Sequence, residues 1–166
     1  MKNYVKCDKM IDEYFLKECY FTMEEIIIRY APKADYEAFN KLYRKCVLLG
    51  GTDTPSNTKP YGRESFQKDC ETNIIVAVKN GELVGYTLLD ATDEPDVIHI
   101  SEMFTTISVR RTGVGRKMLE FLESEMKGSQ FTKLDLMSAF QETDRVWERM
   151  GFNSVNFTDQ YRKVVN

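Results

Sequence analysis

The sequence predicts a mixed α/β fold, one sheet flanked by helices, and three observations carry that prediction. Segments with helical apolar spacing alternate with short β-branched runs. Asn80-Gly81 joins two such runs, a pair that readily takes the two positive φ angles of a type I′ hairpin turn. The stretch His99 to Met126 begins with strand-like residues, tightens into Arg110-Arg111-Thr112-Gly113-Val114-Gly115, and continues as an amphipathic helix. At 166 residues the chain reads as a single domain, 1–166, long enough to bury roughly two-thirds of its unfolded surface.

Taken in order, Asp8 to Tyr20 puts Met10, Ile11, Tyr14, Phe15 and Cys19 on one stripe. Residues 1–22 are therefore expected to add an N-terminal helix to a core spanning 23–165. Glu25 to Ala31 is a β-branched run and reads as the first strand. Pro32 bounds it, Asp35 is the expected N-cap of a helix to about Leu49, and Gly50-Gly51 stop that helix. Gly51 to Asp69 is rich in Pro, Gly, Ser and Thr and reads as a loop with a short helix at Arg63 to Lys68. A loop of this length either lines a pocket or is a surface excursion.

Asn73 to Asp90 is the hairpin, and an acidic loop, Ala91 to Asp96, leads to the central strand, expected to run from His99 to Val109. Thr112 is the expected cap of the next helix, whose buried stripe is Val114, Met118, Leu119, Leu122 and Met126. Lys133 to Met137 alternates as a strand, and Ser138 with Gln141 has the spacing of a capping box. The helix that follows carries Phe140, Val146, Trp147 and Met150 and ends at Gly151. Phe152 to Phe157 and Tyr161 to Val165 are the expected terminal strands.

Composition narrows the function classes. With 42% hydrophobic and 30% charged residues the chain is ordinary for a globular protein, and a net charge of −3 argues against a nucleic-acid partner. Cys7, Cys19, Cys46 and Cys70 are scattered without a CxxC pair, which indicates neither a metal site nor a disulfide framework. Asp8, Asp12 and Glu13 interrupt every early apolar run, so no secretory leader or membrane span is expected and the cytoplasm is the default location.

The turn after the central strand has the make-up of an anion cradle. Glycines let a ligand approach the backbone, the first amides of a helix point outward unpaired, and the helix dipole favours negative charge there. A P-loop would need a second glycine five residues after Gly113, where Met118 stands. A dinucleotide fingerprint would need a third glycine, which is absent.

In context, SVRRTGVGRKMLEFLE resembles the central motif of the GNAT N-acetyltransferase superfamily, R/Q-x-x-G-x-G/A, here Arg110-x-x-Gly113-x-Gly115. VWERMGF, Val146 to Phe152, resembles the family's closing pattern, and the order of elements agrees over about residues 23 to 165. The resemblance implies a mostly antiparallel twisted sheet splayed at its central strand. It implies acetyl-CoA as cosubstrate, no metal, and an amine-bearing small molecule or peptide as acceptor, with homodimers common among relatives. It also implies that Met103, Phe104 and Thr105 pair with the pantetheine arm. The turn Arg110, Arg111, Thr112, Gly113, Val114, Gly115 and Arg116 then binds the pyrophosphate, its amides from Arg111 to Arg116 making the contacts.

Acyl transfer to an ammonium of pKa about 10.4 needs a base. His99, eleven residues before Arg110, sits at the offset where relatives carry a glutamate or histidine base. An unperturbed imidazole, pKa about 6.5, is mostly neutral near pH 7. A lone histidine on a strand also serves plain structural ends. Glu102 is the second candidate, placed opposite His99 by strand alternation unless a bulge intervenes, while Ser101 shares the His99 face.

One departure stands out: where many members carry a tyrosine acid, four residues before Gly151, this chain has Trp147, whose indole only donates. Phe140, with Gln141 beside it, stands where an asparagine is common. Tyr61 or Tyr161 could supply the acid instead, or the thiolate could leave unassisted. The remaining alternative is an acyl-CoA-binding regulatory or interaction module with little catalysis.

Overall fold

The structure, a computed structural model, describes residues 25–49, 60–138, 141–156 and 158–165. The expected N-terminal helix, the Gly50-Gly51 stop and Phe140 lie outside the described residues. The elements are β1 (Ile26–Tyr30), α1 (Tyr36–Leu49), α2 (Arg63–Asp69), β2 (Ile74–Lys79), β3 (Glu82–Ala91) and β4 (Val97–Thr105), then α3 (Val114–Met126), β5 (Lys133–Met137), α4 (Gln141–Arg149), β6 (Asn153–Ser154) and β7 (Gln160–Val164).

The seven strands form one sheet in the order β1-β2-β3-β4-β5-β7-β6, antiparallel throughout except for β4 beside β5. β2 and β3 meet at Asn80 (φ 52°) and Gly81 (φ 79°), the predicted two-residue turn. Successive strand residues alternate between two cores. Ile75, Ala77, Ile100 and Leu136 pack under α3, whose stripe Val114, Met118, Leu119, Leu122 and Met126 is buried throughout. Ile74, Val76, Tyr86 and Phe104 pack under α1 and α2 against Phe39, Leu42 and Phe66. Each Val, Leu, Ile, Phe or Met side chain so buried stabilises the fold by about 1.5–3 kcal/mol before entropy is counted.

The pairing of β4 positions the site. β3 follows it from Ile98 to Thr105, but β5 pairs with it only from Val97 to Ile100. Beyond Ile100 the sheet opens on the β5 side, which is the splay expected of the central strand. At the same point the register with β3 slips: Leu89 faces Ile100 and Leu88 faces Glu102, leaving Ser101 as the extra residue of a β-bulge.

Four sequence expectations need correction. Asp35 is not an N-cap; it ends a 3₁₀ turn, Lys33–Asp35, and its carboxylate is held by Arg29 Nη1 at 2.7 Å, a charge-assisted bond stronger than a cap. The central strand stops at Thr105, because a 3₁₀ turn at Ile107–Val109 directs Val109 into the core and leaves Ile107 exposed. Thr112 does not cap α3; its hydroxyl donates to Val109 O at 2.8 Å, and Gly113 at φ 89° holds the cap position. The strand expected over Phe152 to Phe157 is only Asn153–Ser154, since the chain turns at Asn156 (φ 53°) to start β7.

α4 ends as predicted. Gly151 (φ 92°) is its left-handed residue, with Gly151 N bonded to Glu148 O at 3.0 Å and Phe152 N to Trp147 O at 3.1 Å, the two bonds of a Schellman motif. At its start, Ser138 Oγ donates to Asp144 Oδ1 at 2.6 Å; the Gln141 side chain, the other half of the expected capping box, lies outside the described atoms.

Candidate functional site

Where β4 parts from β5 a groove of about 1040 Å³ opens. One wall is Met103, Phe104 and Thr105, the end is the turn and first residues of α3, and the other wall is Val146, Trp147 and Met150 of α4. Of the residues predicted to hold the cofactor, all but Thr112 line it.

Among the described residues no backbone carbonyl accepts from the amides of Val114, Gly115 or Arg116, whereas Lys117 N is bonded to Gly113 O at 3.0 Å. Those free donors and the positive end of α3 point where an anion would be held. The two glycines act differently. At Gly113 a Cβ would meet nothing within 4 Å, so the positive φ is what requires glycine. A Cβ on Gly115 would lie 3.8 Å from Met103 Sδ and 3.9 Å from Met150 Cε. Glycine there leaves free the space between the two walls.

Arg110, Arg111, Arg116 and Arg149 ring the same end. Arg116 Nη2 donates to Arg149 O at 3.3 Å, tying the start of α3 to the end of α4, and Arg110 Nε donates to Thr105 O at 3.3 Å. Guanidinium groups and open amides at one end, with Met103, Val146, Trp147 and Met150 along the walls, fit a pyrophosphate followed by a thin, largely apolar arm. The sequence reading missed Arg149 and Cys46 on this wall. A cation in the last turn of a helix is usually explained by the helix dipole, which conceals a ligand-facing one.

The bulge at Ser101 decides where the candidate bases stand. It turns Glu102 onto the face of His99, away from α3, and leaves Ser101 exposed with Oγ donating to Leu88 O at 3.3 Å. His99 lies in the closed part of β4, between Asp90 of β3 and Asp135 of β5. Its Nδ1 is 2.7 Å from Asp135 Oδ1, and Asp135 also accepts from Gln160 Nε2 and Arg162 Nη2, each at 3.2 Å. Arg162 is further held by both carboxylate oxygens of Glu94.

Glu102 stands instead where the sheet has opened. Its Oε1 accepts from Cys46 Sγ of α1 at 2.9 Å and from the Tyr86 hydroxyl of β3. Burial and the Glu102 carboxylate push the Cys46 thiol up to about 12. Tyr86, fully buried beside the same carboxylate, is raised far above the ordinary phenol range.

The structure removes two candidate acids. The Tyr61 hydroxyl donates to Asp69 Oδ2 at 2.8 Å, and burial with that carboxylate raises its pKa. Tyr161 is 5% exposed and is raised by desolvation and by Asp144. Neither lines the groove. Trp147 does, while packing edge-on against Phe152 at 5.6 Å between centroids.

Among the described residues no group of three or more His, Cys, Asp or Glu side chains is placed to hold a metal, and no helix is long and apolar enough to cross a membrane. Cys46 and Cys70 are free thiols.

Comparison with known proteins bears on the groove. No curated protein sequence matches the chain. Among solved structures, N-acetylglutamate synthase from Neisseria gonorrhoeae, complexed with coenzyme A and N-acetyl-glutamate, is similar over 86% of this chain at 16% identity with a TM-score of 0.68. The chain spans only 35% of that enzyme's length. The yncA protein of Salmonella typhimurium, solved with its cofactor acetyl-CoA, is similar over 85% of this chain and 94% of its own, at 18% identity and a TM-score of 0.62. The ribosomal-protein-S18-alanine N-acetyltransferase of Escherichia coli is similar over 86% of this chain and 95% of its own, at 16% identity and a TM-score of 0.62. Identities this low establish the shared fold. The model of the acetyltransferase (GNAT) family matches residues 36–152, from the start of α1 through the open strand and its turn to the Gly151-Phe152 close of α4, and the chain belongs to that family.

Proposed function

We propose that the chain is an acetyl-CoA-dependent N-acetyltransferase that moves an acetyl group to a primary amine of a small molecule or peptide. The observation that carries the reading is the opening of the sheet beyond Ile100, which sets the free amides and arginines of the turn at one end of a groove and Glu102 beside its wall.

When bound, acetyl-CoA supplies the acetyl group as a thioester. Arg110, Arg111, Arg116 and the amides of Val114 to Arg116 hold its pyrophosphate, and the exposed edge of Met103 to Thr105 aligns its arm. Glu102 accepts the proton that an ammonium acceptor must lose before it can attack. His99 with Asp135 serves the acceptor side farther along the strand, as a second proton-accepting group. The cytoplasm, a reducing compartment, accords with the free thiols of Cys46 and Cys70.

Trp147 favours a second reading, a cofactor-binding module with little catalysis, because an indole on the groove wall cannot protonate a leaving thiolate. Thiol release measured with acetyl-CoA and a panel of polyamines, amino acids and peptide N-termini separates the two. Amine-dependent release supports the transferase; saturable cofactor binding without release across the panel supports the module.

A further inference from the structure

Cofactor binding leaves one side-chain cluster unexplained. Cys46 of α1, Tyr86 of β3 and Glu102 of β4 meet beside the groove, and Cys46 itself lines it. Both donors go to one oxygen, Oε1. Among the described residues Oε2 has no hydrogen-bond partner, and it is not among the buried unpaired atoms. The Tyr86 ring is fully buried and wedged against Phe39 at 5.2 Å, Phe104 at 5.7 Å and Tyr43 at 6.0 Å, so its hydroxyl cannot swing away.

We propose that Cys46 and Tyr86 are positioning residues for Glu102, holding Oε1 so that Oε2 is the oxygen that receives the acceptor's proton. This rests on the acetyltransferase reading above. Turning the carboxylate would exchange its oxygens only by breaking two bonds at once, so its open oxygen keeps one direction. Glu102 reaches this arrangement only because the bulge at Ser101 turns it to the α1 face.

The setting of Glu102 is defined by its neighbours. The titratable and charged groups around it are Tyr43 and Cys46 from α1, Tyr86 from β3, His99 on its own strand, and Arg110 of the turn, which acts on the Cys46 thiol. Both donors bind the carboxylate through the same oxygen, so deleting either one loosens its orientation. The Cys46 thiol, kept protonated to about 12, stays a donor at neutral pH and does not compete for the acetyl group.

The experiment measures kcat and KM with acetyl-CoA and an accepted amine, alongside acetyl-CoA affinity. Tyr86→Phe and Cys46→Ala are expected to lower kcat about 5- to 50-fold, with KM for the amine and cofactor affinity little changed. Cys46→Ser, which keeps a donor, is expected to restore kcat. An active enzyme whose kcat is unchanged in both deletion variants overturns the positioning role alone, whereas a chain that acetylates no amine overturns the transferase reading and this role with it.

A second arm does not depend on turnover. In a chain whose other cysteines are alanine, Glu102→Gln is expected to speed alkylation of Cys46 by iodoacetamide at pH 8 by roughly 10-fold, since the carboxylate no longer holds the thiol protonated. An unchanged rate contradicts the cluster.

Discussion

The two halves of β4 do opposite things with the same backbone. From Ile98 to Ile100 both edges are paired, and the polar side chain there, His99, is closed into a chain of bonds through Asp135 to Gln160, Arg162 and Glu94. From Glu102 to Thr105 one edge is free and the chain leads straight into the turn of free amides. A strand's unpaired edge is normally a liability to be covered. Here it faces a groove sized for a ligand, and the bulge at Ser101 joins the half that holds the sheet to the half that offers it.

The largest effect that could break this contrast is expected at Glu102. Glu102→Gln should lower kcat about 10²- to 10³-fold with acetyl-CoA affinity unchanged, read by steady-state kinetics and calorimetry. Next comes the groove: Gly115→Leu would fill the space between Met103 and Met150 and is expected to weaken acetyl-CoA binding about 10- to 100-fold, with the fold intact by circular dichroism. Gly113→Ala forces a φ of 89° on a residue with a Cβ and should cost about 1–2 kcal/mol, seen as a lowered Tm.

In the closed half, His99→Ala is expected to lower kcat less than about tenfold, because its main loss is structural: Asp135, with a side chain 7% exposed, loses a partner, at about 1–3 kcal/mol. A kinetic loss equal to that of Glu102→Gln would move the base into the closed half. The smallest change is expected from Trp147→Tyr, a few-fold rise in kcat from a hydroxyl able to protonate the leaving thiolate.

Much of this was legible in the residues, for physical reasons. Asn80-Gly81 admits few turns, the α3 stripe has a helical period, and Gly113 with Gly115 after a strand marks an anion-binding helix start. What was not legible depends on relations across the sheet. Ser101 carries no local sign of a bulge, since the extra residue exists only relative to β3. Cys46 and Glu102 are 56 positions apart and are joined only when α1 packs on the sheet. Thr112 looked like a cap because its type favours that role, but a positive φ at the next residue gave the position to Gly113.

If the open half of β4 and the start of α3 receive the cofactor while the closed half does not, the cofactor perturbs only the former. Backbone amide chemical shifts of ¹⁵N-labelled protein, followed as acetyl-CoA is added, test it most directly. Saturable shifts are expected at Met103 to Thr105 and Arg111 to Arg116, with Val97 to Ile100 little changed. No saturable shift, or shifts centred on Val97 to Ile100, would contradict it.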